Sequence, residues 1–317
     1  LAAEIRPEII EQEDGVYYVV QKGDTLWGIS ERLFNTPWFW PGLWAENNFA
    51  IDSNNPHWIY PGQKLRLLSR EGTSSPGTKP EEILPPNYLY TPIQRVGFVA
   101  PEPAEVWATI IATDAPRYMI TTDHMVYLKP EKGFEPPLGG PPLGGRYIVY
   151  AKPDKVYNKA EGNKEAGYLH RISGIVEISA YRDGLIIGTV ITAFLPIYVG
   201  DSLLPVTEKD PRIILQPSVA NLQGRILITD TGQVTCAQGD VIYINHGTKS
   251  GVAPGQIYHL FEERTVDFSK FKTDQRVDKA PVGAILVLDA EETTSAALII
   301  DSKTDVAPGW LFGSPLQ

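Results

Sequence analysis

The strongest constraint in this sequence is a fifty-residue stretch, Tyr17 to Leu68, that switches hydrophobic period twice and is punctuated at each switch. Val16 to Val20 is a short β-branched and aromatic run that stops at Gly23-Asp24, which is strand followed by turn chemistry. Asp24 then stands where a helix N-cap belongs, with Leu26, Ile29 and Leu33 recurring at helical spacing behind it. A second helix is predicted around Pro41, tolerated in a first turn, with Trp40, Leu43, Trp44 and Asn47 on one face. The closing element is an alternating strand, Lys64 to Leu68, with Leu65 and Leu67 against Lys64 and Arg66. The predicted order is strand, helix, helix, strand.

Three motifs arrive in order within that stretch: Gly23-Asp24-Thr25-Leu26-Trp27 after the first strand, Asn47-Asn48 after the second helix, and Ile59-Tyr60-Pro61-Gly62-Gln63-Lys64-Leu65 before the last strand. Together they resemble the LysM family. The segments from Asn35 to Trp40 and from Phe49 to Trp58 are longer and richer in tryptophan than in a minimal LysM. Asn-Pro-His-Trp-Ile-Tyr-Pro-Gly is similar to a subgroup found in bacterial envelope proteins. The resemblance covers about a sixth of the chain.

The family resemblance implies a shallow groove that holds N-acetylglucosamine-containing glycans, chiefly peptidoglycan. Carried over position by position, one wall is Gly23, Asp24, Thr25 and Leu26, and the other is Asn54, Pro56, Ile59, Tyr60 and Pro61. Acetamido groups need backbone partners on loops, and sugar faces need small apolar walls, which Leu26, Ile59 and Pro61 offer. Asp24 is read first as the helix cap, with a sugar contact as a second role. Trp27, Trp40 and Trp44 are read as core filling, because so small a domain struggles to bury enough surface. Trp38 and Trp58 are divided between packing and sugar stacking.

The rest of the chain reads differently. Residues 1–15 are expected to be a loosely held leader and residues 69–87 a Pro/Gly/Ser-rich linker. From Tyr88 onward, short β-branched runs alternate with Gly, Pro and Asp turns, which predicts a mainly β region. Ala108–Asp114 through Leu128 lays without a gap on Gly224–Asp230 through Ile244 at an offset of 116, pairing Thr113-Asp114 with Thr229-Asp230 and Tyr127 with Tyr243. Further on, Gly144, Tyr147, Gly174 and Gly200 pair with Gly255, Tyr258, Gly283 and Gly309. This predicts two repeated β-rich units, 88–206 and 207–317. The expected fold is therefore multidomain: a small α+β LysM module (βααβ, 16–68) and a tandem mainly-β region. Pro136 to Gly145 is a five-residue duplication expected to form a surface loop, either inert or partner-binding.

Charge and side-chain inventory narrow the function. The net charge of −10 disfavours nucleic acid and anionic membranes as partners, since both reward a basic surface. Within Tyr17–Leu68, four basic residues balance four acidic ones, which suits an uncharged sugar. The apolar run Leu185–Gly200 is too short to span a bilayer and predicts a pair of buried strands, with no transmembrane segment. The sequence begins Leu-Ala-Ala-Glu with no basic or apolar signal region, so any export signal is absent here, and the family resemblance implies an exported periplasmic or envelope protein.

The lone Cys236 is read as a buried small hydrophobe, since Ile120 occupies its place in the first unit. The five histidines, His57, His124, His170, His246 and His259, include no pair at metal-ligand spacing, so neither a metal nor a cofactor is expected. The reading is a non-catalytic peptidoglycan-binding protein whose β region is a scaffold or a contact surface for another envelope protein. The alternatives are a cell-wall hydrolase with catalysis in the β region, or an assembly protein of an envelope machine.

Overall fold

The computed structural model describes residues 9–12, 15–22, 24–34, 40–47, 59–69, 87–116, 118–131, 143–182, 185–261 and 281–314. The N-terminal module comprises β1 (Ile9–Gln12), β2 (Gly15–Val19), α1 (Leu26–Phe34), α2 (Trp40–Asn47) and β3 (Lys64–Ser69). Its helical stripes are the expected ones, with Leu26, Ile29, Trp40, Leu43 and Leu65 buried in one core. The leader is a correction. Ile9–Gln12 pairs antiparallel with β2, from Ile9 opposite Tyr18 to Gln12 opposite Gly15, so the sheet has three strands in the order β1-β2-β3. Ile10-Glu11-Gln12 has too short a pattern to announce a strand by itself; the unpaired edge of β2 supplies the partner.

Asn47 joins the second helix to the sheet. Its side chain is buried, donates to the carbonyls of Leu43 and Arg66 at 2.7 and 3.0 Å, and accepts the Arg66 N–H at 2.7 Å. A side-chain amide thus occupies the bonding position of a neighbouring strand, which satisfies the buried edge of β3.

The β region is mainly strand and contains two closed six-stranded barrels. After β4 (Asn87–Leu89) and β5 (Phe98–Ala100), the first barrel is built from β6 (Ala108–Thr113), β7 (Met125–Pro130) and β8 (Arg146–Tyr150). The inserted β9 (Asp154–Asn158) and β10 (Lys164–His170) follow, and then β11 (Ile172–Arg182), β12 (Leu185–Ala193) and β13 (Ser202–Pro205) complete it. After β14 (Arg212–Ile214), the second barrel takes β15 (Gln223–Thr229), β16 (Val241–Ile244), β17 (Ile257–Phe261), β18 (Gly283–Ala290), β19 (Ser295–Ser302) and β20 (Leu311–Gly313).

Read around the ring, the first barrel runs β6-β7-β12-β11-β8-β13 and the second β15-β16-β19-β18-β17-β20. Registers also correspond. Ala112 pairs with Tyr127 past a bulge in β6, and Ile228 pairs with Tyr243 past a bulge in β15. The bulge of β11 between Ile178 and Ala180 has its counterpart in β18 between Val287 and Asp289. Isolated bridges close the two ends alike, Ile120 to Ile197 and Cys236 to Val306.

The run Leu185–Gly200 is one long strand, β12, followed by a turn to the Ile197 bridge, not two strands. Gly188 does not break it, because the residue faces the barrel interior, where a Cβ would strike the Val176 side chain.

Each barrel has its own interior, one around Ile110, Leu128, Val176 and Val190, the other around Ile242, Tyr258, Ile285 and Phe312. A third cluster lies outside the second barrel. There the outward residues Leu227, Val241, Leu286 and Leu298 are buried against Val99, Val156 and Leu169 of the sheet β5-β10-β9. Strands buried on both faces explain the unbroken apolar runs of β16, β18 and β19. Gly97 sits where this cover meets the barrel; a Cβ there would collide with the His170 carbonyl and the Tyr243 hydroxyl.

The same cluster includes the core of the N-terminal module. Trp40 meets Tyr88 edge-on at 5.1 Å, and Trp27 meets His259 at 6.4 Å with rings 83° apart. Two tryptophans expected to fill the module's own core therefore also bind it to the β region. Trp44 is half-buried against that core, while Trp38 and Trp58 lie outside the described residues.

Candidate functional site

Two loops bracket the open end of the N-terminal module: Val20–Thr25, leading into α1, and Ile59–Gln63, leading into β3. They are joined by backbone bonds at 2.8 Å, Val20 N–H to the Gln63 carbonyl and Gly62 N–H to the Val20 carbonyl. Tyr60-Pro61-Gly62-Gln63 is a tight turn with proline second and glycine third. Gly62 has φ +90°, a conformation that disfavours a side chain. Its Gln63 N–H donates to the Tyr60 carbonyl at 3.1 Å, and the Gln63 side-chain carbonyl accepts the Tyr60 N–H at 2.7 Å. The turn is thereby braced from both sides, and it presents Tyr60 outward, 57% exposed, with Pro61 and Gly62 also exposed.

The first loop is held by Asp24. Its Oδ2 accepts the Tyr18 hydroxyl at 2.5 Å and the Gln21 N–H at 2.8 Å, and its Oδ1 accepts Arg32 Nη2 at 2.5 Å. The carboxylate is only 8% exposed. Burial pushes this carboxyl up, but the hydrogen bonds from Tyr18, Arg32 and Gln21 outweigh it and hold it below the ordinary carboxylate value. Burial and the Asp24 partner push the Tyr18 phenol up to about 12.

The helix cap is Thr25, a correction to the expectation for Asp24. Thr25 Oγ1 accepts the Gly28 N–H at 3.0 Å, and its carbonyl accepts the Ile29 N–H at 2.8 Å. Asp24 is one residue too early and turns back toward Tyr18 instead.

The nine residues assigned to the groove separate on this geometry. Gly23, Asn54 and Pro56 lie outside the described residues. Asp24 and Thr25 shape their loop, with their side-chain oxygens bonded within the module. Leu26, 3% exposed, belongs to the core, so the sequence expectation of an apolar wall there fails at the level of its side chain. Ile59 is half-buried and packs against the core. Tyr60 and Pro61 are exposed on the turn. Sequence reasoning missed Tyr18, Arg32, Gln21 and Gln63, which position the two loops. The signal for Arg32 was its place on α1, two turns after Asp24.

A family model described as LysM domain matches residues 18–67, and the chain carries a LysM domain over that stretch. A Bacillus subtilis (strain 168) protein, uncharacterized protein YqbP, is 35% identical over 57 residues, which is 16% of this chain and 26% of that protein. The likeness thus spans about a quarter of the relative's length. A LysM domain implies binding to peptidoglycan or other N-acetylglucosamine-containing glycans.

Burial, with Asp240 and Asp305 nearby, pushes the Cys236 thiol up to about 12, far from a nucleophilic thiolate. His170 is buried, accepts the Ala104 N–H at 3.0 Å and stacks on Phe98; burial lowers its pKa. No group of three or more His, Cys, Asp or Glu among the described residues is placed to hold a metal, and no described helix is long and apolar enough to cross a membrane.

Proposed function

We propose that this chain is a non-catalytic, peptidoglycan-binding protein of the bacterial cell envelope, and that its LysM module grips N-acetylglucosamine-containing glycan between the Val20–Thr25 and Ile59–Gln63 loops. The observation that carries this reading is the braced Tyr60-Pro61-Gly62 turn, which holds an exposed aromatic ring beside the first loop. A pyranose face stacks on Tyr60, the acetyl methyl rests against Ile59 and Pro61, and loop backbone groups bind the acetamide. Gly23, Asn54 and Pro56 complete the groove in this reading.

The β region serves as a scaffold made of two copies of one barrel unit, supported by the shared strand order and matched bulges. It holds the LysM module through Trp27 and Trp40 and gives the groove a fixed orientation. The protein acts outside the cytoplasm, in the periplasm or on the cell wall. Titration of the full chain with N-acetylglucosamine oligomers, followed by amide NMR, tests the groove. Shifts concentrated at Thr25 and Ile59–Gln63 are expected, and shifts confined to residues 88–317 contradict it. Release of muropeptides from purified walls would instead establish the hydrolase alternative.

A further inference from the structure

The bridges Ile120 to Ile197 and Cys236 to Val306 place the ends of the two barrels in register. Around the first bridge lie six exposed residues, none of them charged: Tyr118, Met119, Leu195, Pro196, Tyr198 and Val199. Counted from the second bridge, the same places hold Val234, Thr235, Thr304, Asp305, Ala307 and Pro308. Both barrels close with six strands, so closure does not require the two tyrosines. Packing does not hold them either. Tyr118 is 91% exposed and meets the exposed Tyr198 edge-on, with ring centroids 5.9 Å apart and planes at 77°. Two large rings left together in water, beside four further uncharged side chains, mark a contact site.

Tyr198 stands in a turn built like the one that carries Tyr60. Its N–H donates to Asp201 Oδ2 at 2.9 Å, the Asp201 N–H donates to the Tyr198 carbonyl at 3.1 Å, and Gly200 in third place has φ +103°. In the LysM turn, Gln63 and Gly62 hold those places. The turn at the same place in the second barrel keeps Gly309 at φ +98° and the bond from the Trp310 N–H to the Ala307 carbonyl at 3.2 Å, but it has no ring in first place. Bracing fixes the backbone beneath the Tyr198 ring before a ligand arrives, so less freedom is lost on binding.

We propose that Tyr118 and Tyr198 form a second saccharide platform, which takes an uncharged pyranose unit of the same N-acetylglucosamine-containing glycan that the LysM module grips. The identity of the sugar rests on the reading of the LysM groove given above. The C–H face of the pyranose lies on the open face of Tyr118, Tyr198 closes the side, and the phenol hydroxyls bond sugar hydroxyls. The lack of charge on all six residues suits a neutral sugar and gives an anionic headgroup nothing to pair with. A glycan strand repeats its unit, so a chain that touches it at two places gains avidity that one shallow groove does not supply.

Amide NMR of the full chain with the N-acetylglucosamine trisaccharide, followed by co-sedimentation with purified sacculi, tests this. Two sets of shifts are expected, one at Thr25 and Ile59–Gln63 and one at Tyr118, Met119 and Tyr198, and Tyr118→Ala removes the second set alone. Tyr118→Ala, whose ring lies in solvent, is expected to keep the wild-type thermal midpoint and to bind sacculi roughly tenfold more weakly. Shifts at Ile59–Gln63 alone, with sacculus binding unchanged in Tyr118→Ala, overturn the platform and leave the LysM groove standing. Shifts at Tyr118 and Tyr198 alone support the platform and remove the groove. Concentration-dependent dimerisation that Tyr118→Ala abolishes, with no saccharide shift at these residues, makes the patch a protein interface and overturns the proposal.

Discussion

Tyr18, wholly buried, donates its hydroxyl to Asp24 Oδ2 at 2.5 Å, and this bond helps tie the loop before α1 to the core of the module. Replacing Asp24 by Ala leaves the Tyr18 hydroxyl, the Gln21 N–H and the Arg32 guanidinium without their shared acceptor. Hydrogen bonds to a charged group contribute roughly 1.5–3 kcal/mol each, less for the partly exposed Arg32, so a loss of about 3 kcal/mol is expected in chemical denaturation of the module. Tyr18→Phe, which removes one donor to this carboxylate, is expected to cost about 1.5–3 kcal/mol.

The same carboxylate sets an acid limit. Its pKa in the folded chain is depressed below the ordinary value of 3.8, so the unfolded chain takes up the proton first as pH falls. The stabilisation is complete well above the ordinary value and is lost as pH falls through the depressed one. The module's thermal midpoint is expected to hold from neutrality to about pH 5 and to decline below about pH 4, with a flatter profile for Asp24→Asn.

Asn47 makes a sharper structural prediction. Asn47→Ala strands the Arg66 N–H and carbonyl beside a buried side chain, which is expected to cost about 2–4 kcal/mol and to loosen β3 before the barrels respond. Hydrogen exchange at the Arg66 amide, faster in the variant while the amides of β16 and β19 keep their protection, checks it.

Much of this module was legible because its signals are local. Leu26, Ile29 and Leu33, and Trp40, Leu43 and Asn47, declare two helical stripes within a few turns, and Pro61-Gly62 declares its turn. The cap was misread because Asp24 and Thr25 are both good caps, and only the long-range contact with Tyr18 and Arg32 decides between them. Strand β1 was missed for a similar reason, since an edge strand is chosen by its partner. In the β region, short β-branched runs between turn residues made the mainly-β character legible, whereas the closing of each sheet into a barrel depends on strand pairs far apart in sequence, such as β13 with β6. The burial of Leu26 and the half-burial of Ile59 likewise depend on packing that spacing does not encode. Ile59→Asp is expected to weaken both the fold and glycan binding, because Ile59 is half-buried against the core.

Trp27 is the test of whether the module is docked or merely tethered. Trp27→Ala removes the edge-on contact with His259 and most of a large buried side chain, so a loss of about 3–5 kcal/mol is expected. Calorimetry should then resolve an early transition for residues 16–69 ahead of the barrels. A single unshifted transition would show that the ring contributes nothing to the junction.

The central claim is that glycan is held at the turn bearing Tyr60, and co-sedimentation of the full chain with purified sacculi tests it most directly. Wild-type protein is expected in the pellet, and Tyr60→Ala, whose ring is mostly in solvent, is expected to fold normally and bind roughly tenfold more weakly. Wild-type protein left in the supernatant, or a Tyr60→Ala variant that pellets as fully as the wild type, would contradict the account.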